Sequence, residues 1–238
     1  MRWQRLGIYW EALKGNLTVL PFDVYNALLW VLLPNRKFFD PSVVPNLGVL
    51  PANWATIRGE LDELVANHEL PSSVDLDKGQ IRLAAPGAWR MFFFRVFGID
   101  VPENQRLCPR TWEVLREIPG LYSAMFSVLE PGQRLALHTG PTKGTYRVHL
   151  GMVVPEPDRC WLEVAGERRH WHEGELMVFD EGYPHRAVNE GDQRRVALVL
   201  DVIRDMPWPW LARLNHWVLR RMTRLRRWQE GARRTVVY

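Results

Sequence analysis

The chain has 238 residues, 47% of them apolar and 24% charged, the make-up of an ordinary globular domain with one sizeable core. Its formal charge of +4 is unevenly placed: residues 204–238 carry nine arginines against Asp205 and Glu230, a net +7, and the preceding residues sum to −3, so any electrostatic partner belongs to the C-terminal stretch. Cys108 and Cys160 lie 52 residues apart and form neither a CxxC pair nor a disulfide framework, which excludes a disulfide scaffold and points to free thiols in a reducing compartment.

In chain order, no pattern of a secretory signal opens the sequence, and a cytoplasmic protein is expected. The apolar stretch from Leu17 to Leu33 is broken by Pro21, Asp23 and Asn26. Only Ala27 to Leu33 is uninterrupted, too short to span a bilayer. Residues 1–50 read as an N-terminal arm that ends in turns around Pro34-Asn35, Pro41 and Pro45-Asn46. From Asn53 to His68, the positions Trp54, Ile57, Leu61, Leu64 and Val65 recur at three and four residues, which predicts an amphipathic helix with Asn53 as its N-cap. Thr111 to Glu117 predicts a shorter helix, stopped by Pro119-Gly120.

After about Ala88 the period changes. Trp89–Phe97, Ala124–Leu129, Arg147–Val154, Cys160–Val164, Leu176–Phe179 and Val196–Ile203 are short β-type runs bounded by Gly, Pro, Asp or Asn. Such spacing favours a sandwich, barrel or jelly roll over a parallel sheet. The expected organisation is an arm and helical flank over 1–87, a mainly β core over 88–205 and a basic amphipathic helix over 206–238.

Seven histidines are available, and His138, His149 and His185 fall at predicted strand edges. They stand in a run of linked motifs: His138-Thr139-Gly140-Pro141, Arg147-Val148-His149-Leu150-Gly151, Val178-Phe179-Asp180-Glu181 with His185 four residues on, and Arg195 with Asp201 six residues on. In order and spacing these motifs, over residues 88–205, resemble the aspartyl/asparaginyl β-hydroxylase family, including its bacterial branch of lipid A and related lipid hydroxylases. The resemblance implies a double-stranded β-helix, the jelly roll of Fe(II)- and 2-oxoglutarate-dependent oxygenases, flanked here by N-terminal and C-terminal helices. It also implies His138 and His185 as iron ligands, with O2 as the oxidant.

Neutral imidazoles suit Fe(II). By the same resemblance Arg195, ten residues after His185, holds the distal carboxylate of 2-oxoglutarate with the hydroxyl of Ser127. A guanidinium does this through two parallel hydrogen bonds that lysine cannot make. Arg147 and His149, two apart on one strand, face the same side. His149 is expected to contact the cosubstrate, and Arg147 either the cosubstrate or an anionic part of the substrate.

One position departs from the usual oxygenase triad: where a carboxylate commonly follows the first histidine by two residues, this chain has Gly140. Some members of the family share that glycine, whereas its lipid A hydroxylases tend to carry Asp. Water, or chloride as in halogenases, would fill the gap. Asp180 and Glu181, adjacent on a strand, would point to opposite faces and so form no catalytic dyad. Asp180 is expected near His185 either as a turn residue or as a carboxylate that orients the imidazole, and His170 and His172 read as solvated loop residues.

From Trp208 to Trp228, Leu211, Leu214, Val218, Met222 and Leu225 form one helical stripe, with Arg213, Arg220, Arg224 and Arg227 away from it. Two readings stand: a basic helix on an anionic membrane surface, at the inner face of the membrane, or a helix packed on the core. No nucleic-acid-binding motif accompanies the charge. The expected function is hydroxylation of an aliphatic C–H in an aspartyl or asparaginyl group or in a lipid acyl chain. The alternative is a non-catalytic jelly-roll binding protein with a degenerate iron site.

Overall fold

Along the strand Arg195–Ile203, Val196, Leu198, Leu200 and Val202 enter one apolar cluster while Ala197 and Val199 enter another, because successive side chains of an extended backbone point to opposite faces. The strand is therefore buried on both sides, and the fold is layered around it. The computed structural model describes residues 20–76, 81–224 and 234–237. Its helices are α1 (Leu20–Leu32), α2 (Val49–Ala52), α3 (Trp54–Asn67), α4 (Ser73–Leu76), α5 (Pro102–Leu107), α6 (Pro109–Arg116) and α7 (Pro209–Thr223). Its strands are β1 (Phe38–Phe39), β2 (Trp89–Val96), β3 (Ile99–Asp100), β4 (Leu121–Leu129), β5 (Thr145–Val153), β6 (Cys160–Val164), β7 (Glu167–His170), β8 (Leu176–Phe179), β9 (His185–Asn189) and β10 (Arg195–Ile203).

The strands form an antiparallel sheet in the order β1-β8-β5-β10-β4-β2-β3 and a smaller one in the order β7-β6-β9. The segment Gln133–His138 runs antiparallel to β9, with Leu135 N–H donating to Ala187 O (2.8 Å) and Asn189 N–H to Gln133 O (2.9 Å). It adds a fourth irregular strand to the smaller sheet. Two facing sheets of this kind make the jelly roll expected for the mainly β chain. The outer face of the large sheet packs on Ile57, Leu61 and Leu64 of α3 and on Val114 and Leu115 of α6. Its inner face meets Cys160, Leu162, Val164 and Ala187 of the smaller sheet.

The six strand runs expected from sequence are all present, and β1, β3, β7 and β9 come in addition. Glu167–His170 is polar throughout because it is the outer arm of a two-residue hairpin. Ala165 and Gly166 supply the positive φ values (47° and 82°) of that turn. Asn53 precedes α3 without capping it: its side chain donates back to Val49 O (2.9 Å), since the same residue also ends α2. Helix α1 lies within the N-terminal arm and helical flank expected over 1–87. Its Tyr25, Leu29 and Leu33 side pack with Leu211 and Val218 of α7, and the buried Tyr25 hydroxyl meets the Asn215 carbonyl.

The stripe on α7 is thus protein packing over its described part, with Leu211, Val218 and Met222 buried. Leu225, Arg227 and Trp228 lie outside the described residues, as do residues 1–19 of the arm. Both cysteines are free and buried. Among the described residues no helix is long and apolar enough to cross a membrane.

Candidate functional site

Where the added strand meets β9, His138 and His185 pair directly. Each donates its backbone N–H to the other's carbonyl (3.0 and 2.8 Å), and their ring centroids are 4.3 Å apart. The Nδ1 of His138 lies 2.7 Å from Ala136 O, and that of His185 lies 2.9 Å from Tyr183 O. A carbonyl only accepts, so each Nδ1 carries the proton and each Nε2 is left with its lone pair. Burial lowers the pKa of both rings, with Arg147 adding to the effect, and His185 falls to about 3. The pair is neutral, the form in which imidazole binds a metal. Among the described residues no third His, Cys, Asp or Glu completes a metal-holding cluster with them.

The two histidines open into a cavity between the sheets, lined also by Ser127, Arg147, His149 and Arg195. The register explains the convergence. Ala197 on β10 faces Ser127 on β4, Val199 faces His149 on β5, and Asp201 faces Arg147. These positions are two apart on each strand, so one side of the sheet gathers them all.

Arg195 is 1% exposed and forms no ion pair with any described carboxylate. Its Nη1 donates a long hydrogen bond to Ser127 O (3.4 Å), its Nε has no partner, and its Cζ lies over the Trp171 ring, 4.4 Å from the centroid. Burial draws its pKa down to about 10. A buried guanidinium without an anion costs several kcal/mol, and the neighbouring donors are arranged for one. Trp171 donates its indole N–H to His149 Nδ1 (3.2 Å). Indole is only a donor, so His149 holds its own proton on Nε2. Trp89 donates to Ser127 Oγ (2.9 Å), leaving the Ser127 O–H free to donate.

Arg147 lines the cavity, yet two acids meet its charge: Nη2 lies 2.6 Å from Glu181 Oε2, and Nε donates to Asp201 Oδ1 at 2.8 Å. Glu181 is 1% exposed, and its carboxyl is pushed upward by burial against the opposing pull of Arg147. That carboxylate fills the room beside Gly140, where a Cβ would fall 2.2 Å from Glu181 Oε2. Glu181 and Asp180 thus serve separate ion pairs and form no dyad. Residues 180–184 follow the end of β8 as a turn, where strand alternation no longer applies.

Asp180 is a turn residue and not the partner of the His185 imidazole. It is buried with Lys143 and Arg204 (3.4 Å to Nη1) and accepts the Gly182 N–H (3.0 Å), while Tyr183 O serves the imidazole. His170 and His172 are exposed. Sequence reasoning missed Trp171, which underlies both Arg195 and His149. It was the one large apolar residue in the polar run Glu167–Glu175, and that isolation was a signal.

Residues 51–205 match the family described as aspartyl/asparaginyl β-hydroxylase. An ornithine lipid ester-linked acyl 2-hydroxylase of Rhizobium tropici is 36% identical over 194 residues, 81% of this chain and 68% of that protein. The human aspartate β-hydroxylase domain-containing protein 2 is 33% identical over 181 residues, 71% of this chain and 48% of that protein. Among solved structures, a Pseudomonas putida prolyl-4-hydroxylase aligns with a TM-score of 0.45 at 15% identity, covering 77% of this chain and 99% of that one.

Proposed function

The chain belongs to the aspartyl/asparaginyl β-hydroxylase family, and we propose that it is an Fe(II)- and 2-oxoglutarate-dependent hydroxylase of lipid acyl chains. The observation that carries this reading is Arg195, a buried guanidinium without an anion, in the same cavity as two neutral histidines that present free Nε2 lone pairs. Those donors fit the groups required. His138 and His185 would hold the iron through Nε2. Arg195 and the Ser127 hydroxyl would take the distal carboxylate of 2-oxoglutarate, and the His149 Nε2–H would donate to the cosubstrate. When bound, iron and 2-oxoglutarate couple oxidative decarboxylation to the oxidation of a C–H bond by O2.

The protein's own part is positional. Trp171 supports the Arg195 guanidinium with its ring and fixes the tautomer of His149. The paired backbones of residues 138 and 185 fix the distance between the imidazoles. Arg147, neutralised by Glu181 and Asp201, anchors the turn that packs on Gly140.

The acyl-chain substrate draws support from the acyl hydroxylase match over 81% of the chain and from the outer face of α7. Trp208, Trp210 and Trp217 are 42%, 50% and 52% exposed there, beside exposed Arg213, Arg220, Arg221 and Arg224. Surface tryptophans among arginines suit an anionic membrane interface, and each arginine near such a surface contributes about 1 kcal/mol before salt screening. The expected result of changing all three tryptophans to serine is loss of most co-sedimentation with phosphatidylglycerol vesicles at low salt, with an unchanged thermal melt. Equal binding by the variant removes this face from the interface.

The direct test is anaerobic loading with Fe(II) and 2-oxoglutarate, then air, with succinate measured against candidate lipids and peptides. Lipid-stimulated succinate release is expected; no iron uptake or no succinate overturns the assignment. Gly140→Asp, which restores the usual oxygenase carboxylate, is expected to destabilise by about 1–3 kcal/mol through overpacking against Glu181. That is a fall in Tm of several degrees. The double variant with Glu181→Ala should recover most of it, and a Gly140→Asp protein as stable as wild type would show that the room is not taken.

A further inference from the structure

A second cavity of about 450 Å3 runs between α1 and the loops that carry the two histidines, within the size range of small-molecule sites. One wall is the face of α1 bearing Phe22, Asn26 and Trp30, spaced at one helical turn. Thr139–Lys143 forms the opposite wall, with Tyr183 and Pro184 closing it. Thr139 directly follows His138, and Pro184 directly precedes His185. The groove therefore ends on the backbone that holds both imidazoles.

Its shape is pinned. Asn26 donates to Pro141 O (3.1 Å) and accepts from Thr142 Oγ1 (3.0 Å) and the Lys143 N–H (3.3 Å). Trp30 packs edge-on to Tyr183 at 4.7 Å. The walls are largely apolar, and the Lys143 ammonium is buried against Asp180 and lies over Trp30 at 4.1 Å. The remaining charge is Asp23, a half-buried lining residue with no ion pair among the described residues. It stands roughly 10 Å along the helix from Trp30 at 1.5 Å per residue. An apolar slot with one unmatched carboxylate is complementary to an alkyl chain that carries an ammonium.

We propose that this groove seats the acyl chain of an amine-headed lipid, with Asp23 receiving the ammonium and the chain directed toward His138 and His185. The direction of the chain rests on the hydroxylase reading; the groove and its charge do not. Asp23 also lies in the first turn of α1, where a carboxylate favours the helix dipole without any ligand, so the test needs a readout that helix stability does not move.

Two probes would carry the same diazirine midway along the chain: N-palmitoyl ethylenediamine, with an ammonium head, and N-palmitoyl taurine, with a sulfonate. Photolysis uses the full chain without iron or 2-oxoglutarate, and labelled peptides are read by mass spectrometry. The expected result is labelling within 22–30, 139–143 or 183–184, at least tenfold stronger with the ammonium probe. Asp23→Asn should remove the preference, and Asp23→Lys should turn it toward the sulfonate. Labelling elsewhere, or equal labelling of the groove by both probes in wild type, overturns the proposal without needing either variant. Groove labelling in a protein that releases no succinate would sink the hydroxylase reading and leave the groove standing.

Discussion

His185→Ala is expected to lose iron and to lower succinate release by at least about a hundredfold, while the fold survives. Removing the ring leaves one imidazole, and among the described residues no His, Cys, Asp or Glu completes a substitute cluster. The fold persists because the link between the two loops is main-chain: both hydrogen bonds between residues 138 and 185 use backbone atoms, and alanine keeps them. His138→Ala should behave alike. The control is His170→Ala, whose exposed ring is hydrogen-bonded to Pro157 O (2.9 Å) and whose loss should change neither iron content nor rate. Iron content by mass spectrometry and succinate release on folded protein decide the matter. Retention of both by His185→Ala would mean that the metal is held elsewhere.

How far the sequence carried the site depends on the kind of contact involved. His138, Arg147, His149, His185 and Arg195 were singled out by the resemblance of their motifs to the family, spacing alone being too weak a signal, and the fold brings all five to the lining of one cavity. The separate partners of Asp180 and Glu181 were not legible because both lie just past Phe179, where β8 has ended and period-two reasoning lapses. Helix α1 was legible only as part of an N-terminal helical flank, without bounds. Its three sides meet α7, the groove and solvent, where Val31 is 82% exposed, so no clean polar stripe marks it as a surface helix. The α7 stripe was read as suiting either a membrane or a core, and its pattern alone holds no preference. Only the packing of Leu211 and Val218 against Leu29 decides it.

Arg195 separates function from stability most sharply. Arg195→Lys is expected to raise the KM for 2-oxoglutarate by at least about tenfold, since a point charge on a flexible stem neither grips a carboxylate with two parallel bonds nor lies flat on Trp171. Arg195→Met should abolish saturable cosubstrate binding and yet give a protein at least as stable as wild type. The apolar side chain keeps much of the volume and the contact with the indole, and it removes a guanidinium that burial has already weakened and that no acid accompanies. Even replacing a buried ion pair with apolar side chains of similar volume is often neutral or stabilising by about 1–4 kcal/mol, and the loss of the long bond to Ser127 O (3.4 Å) offsets little of it. A residue kept for packing would show the reverse, with stability falling and the 2-oxoglutarate KM unmoved. Thermal melts with and without 2-oxoglutarate read both quantities: wild type should gain Tm on adding the cosubstrate, and Arg195→Met should start as high or higher and gain nothing. A destabilised Met variant that still shifts with 2-oxoglutarate would return Arg195 to the structural core and leave the cavity without its anion anchor.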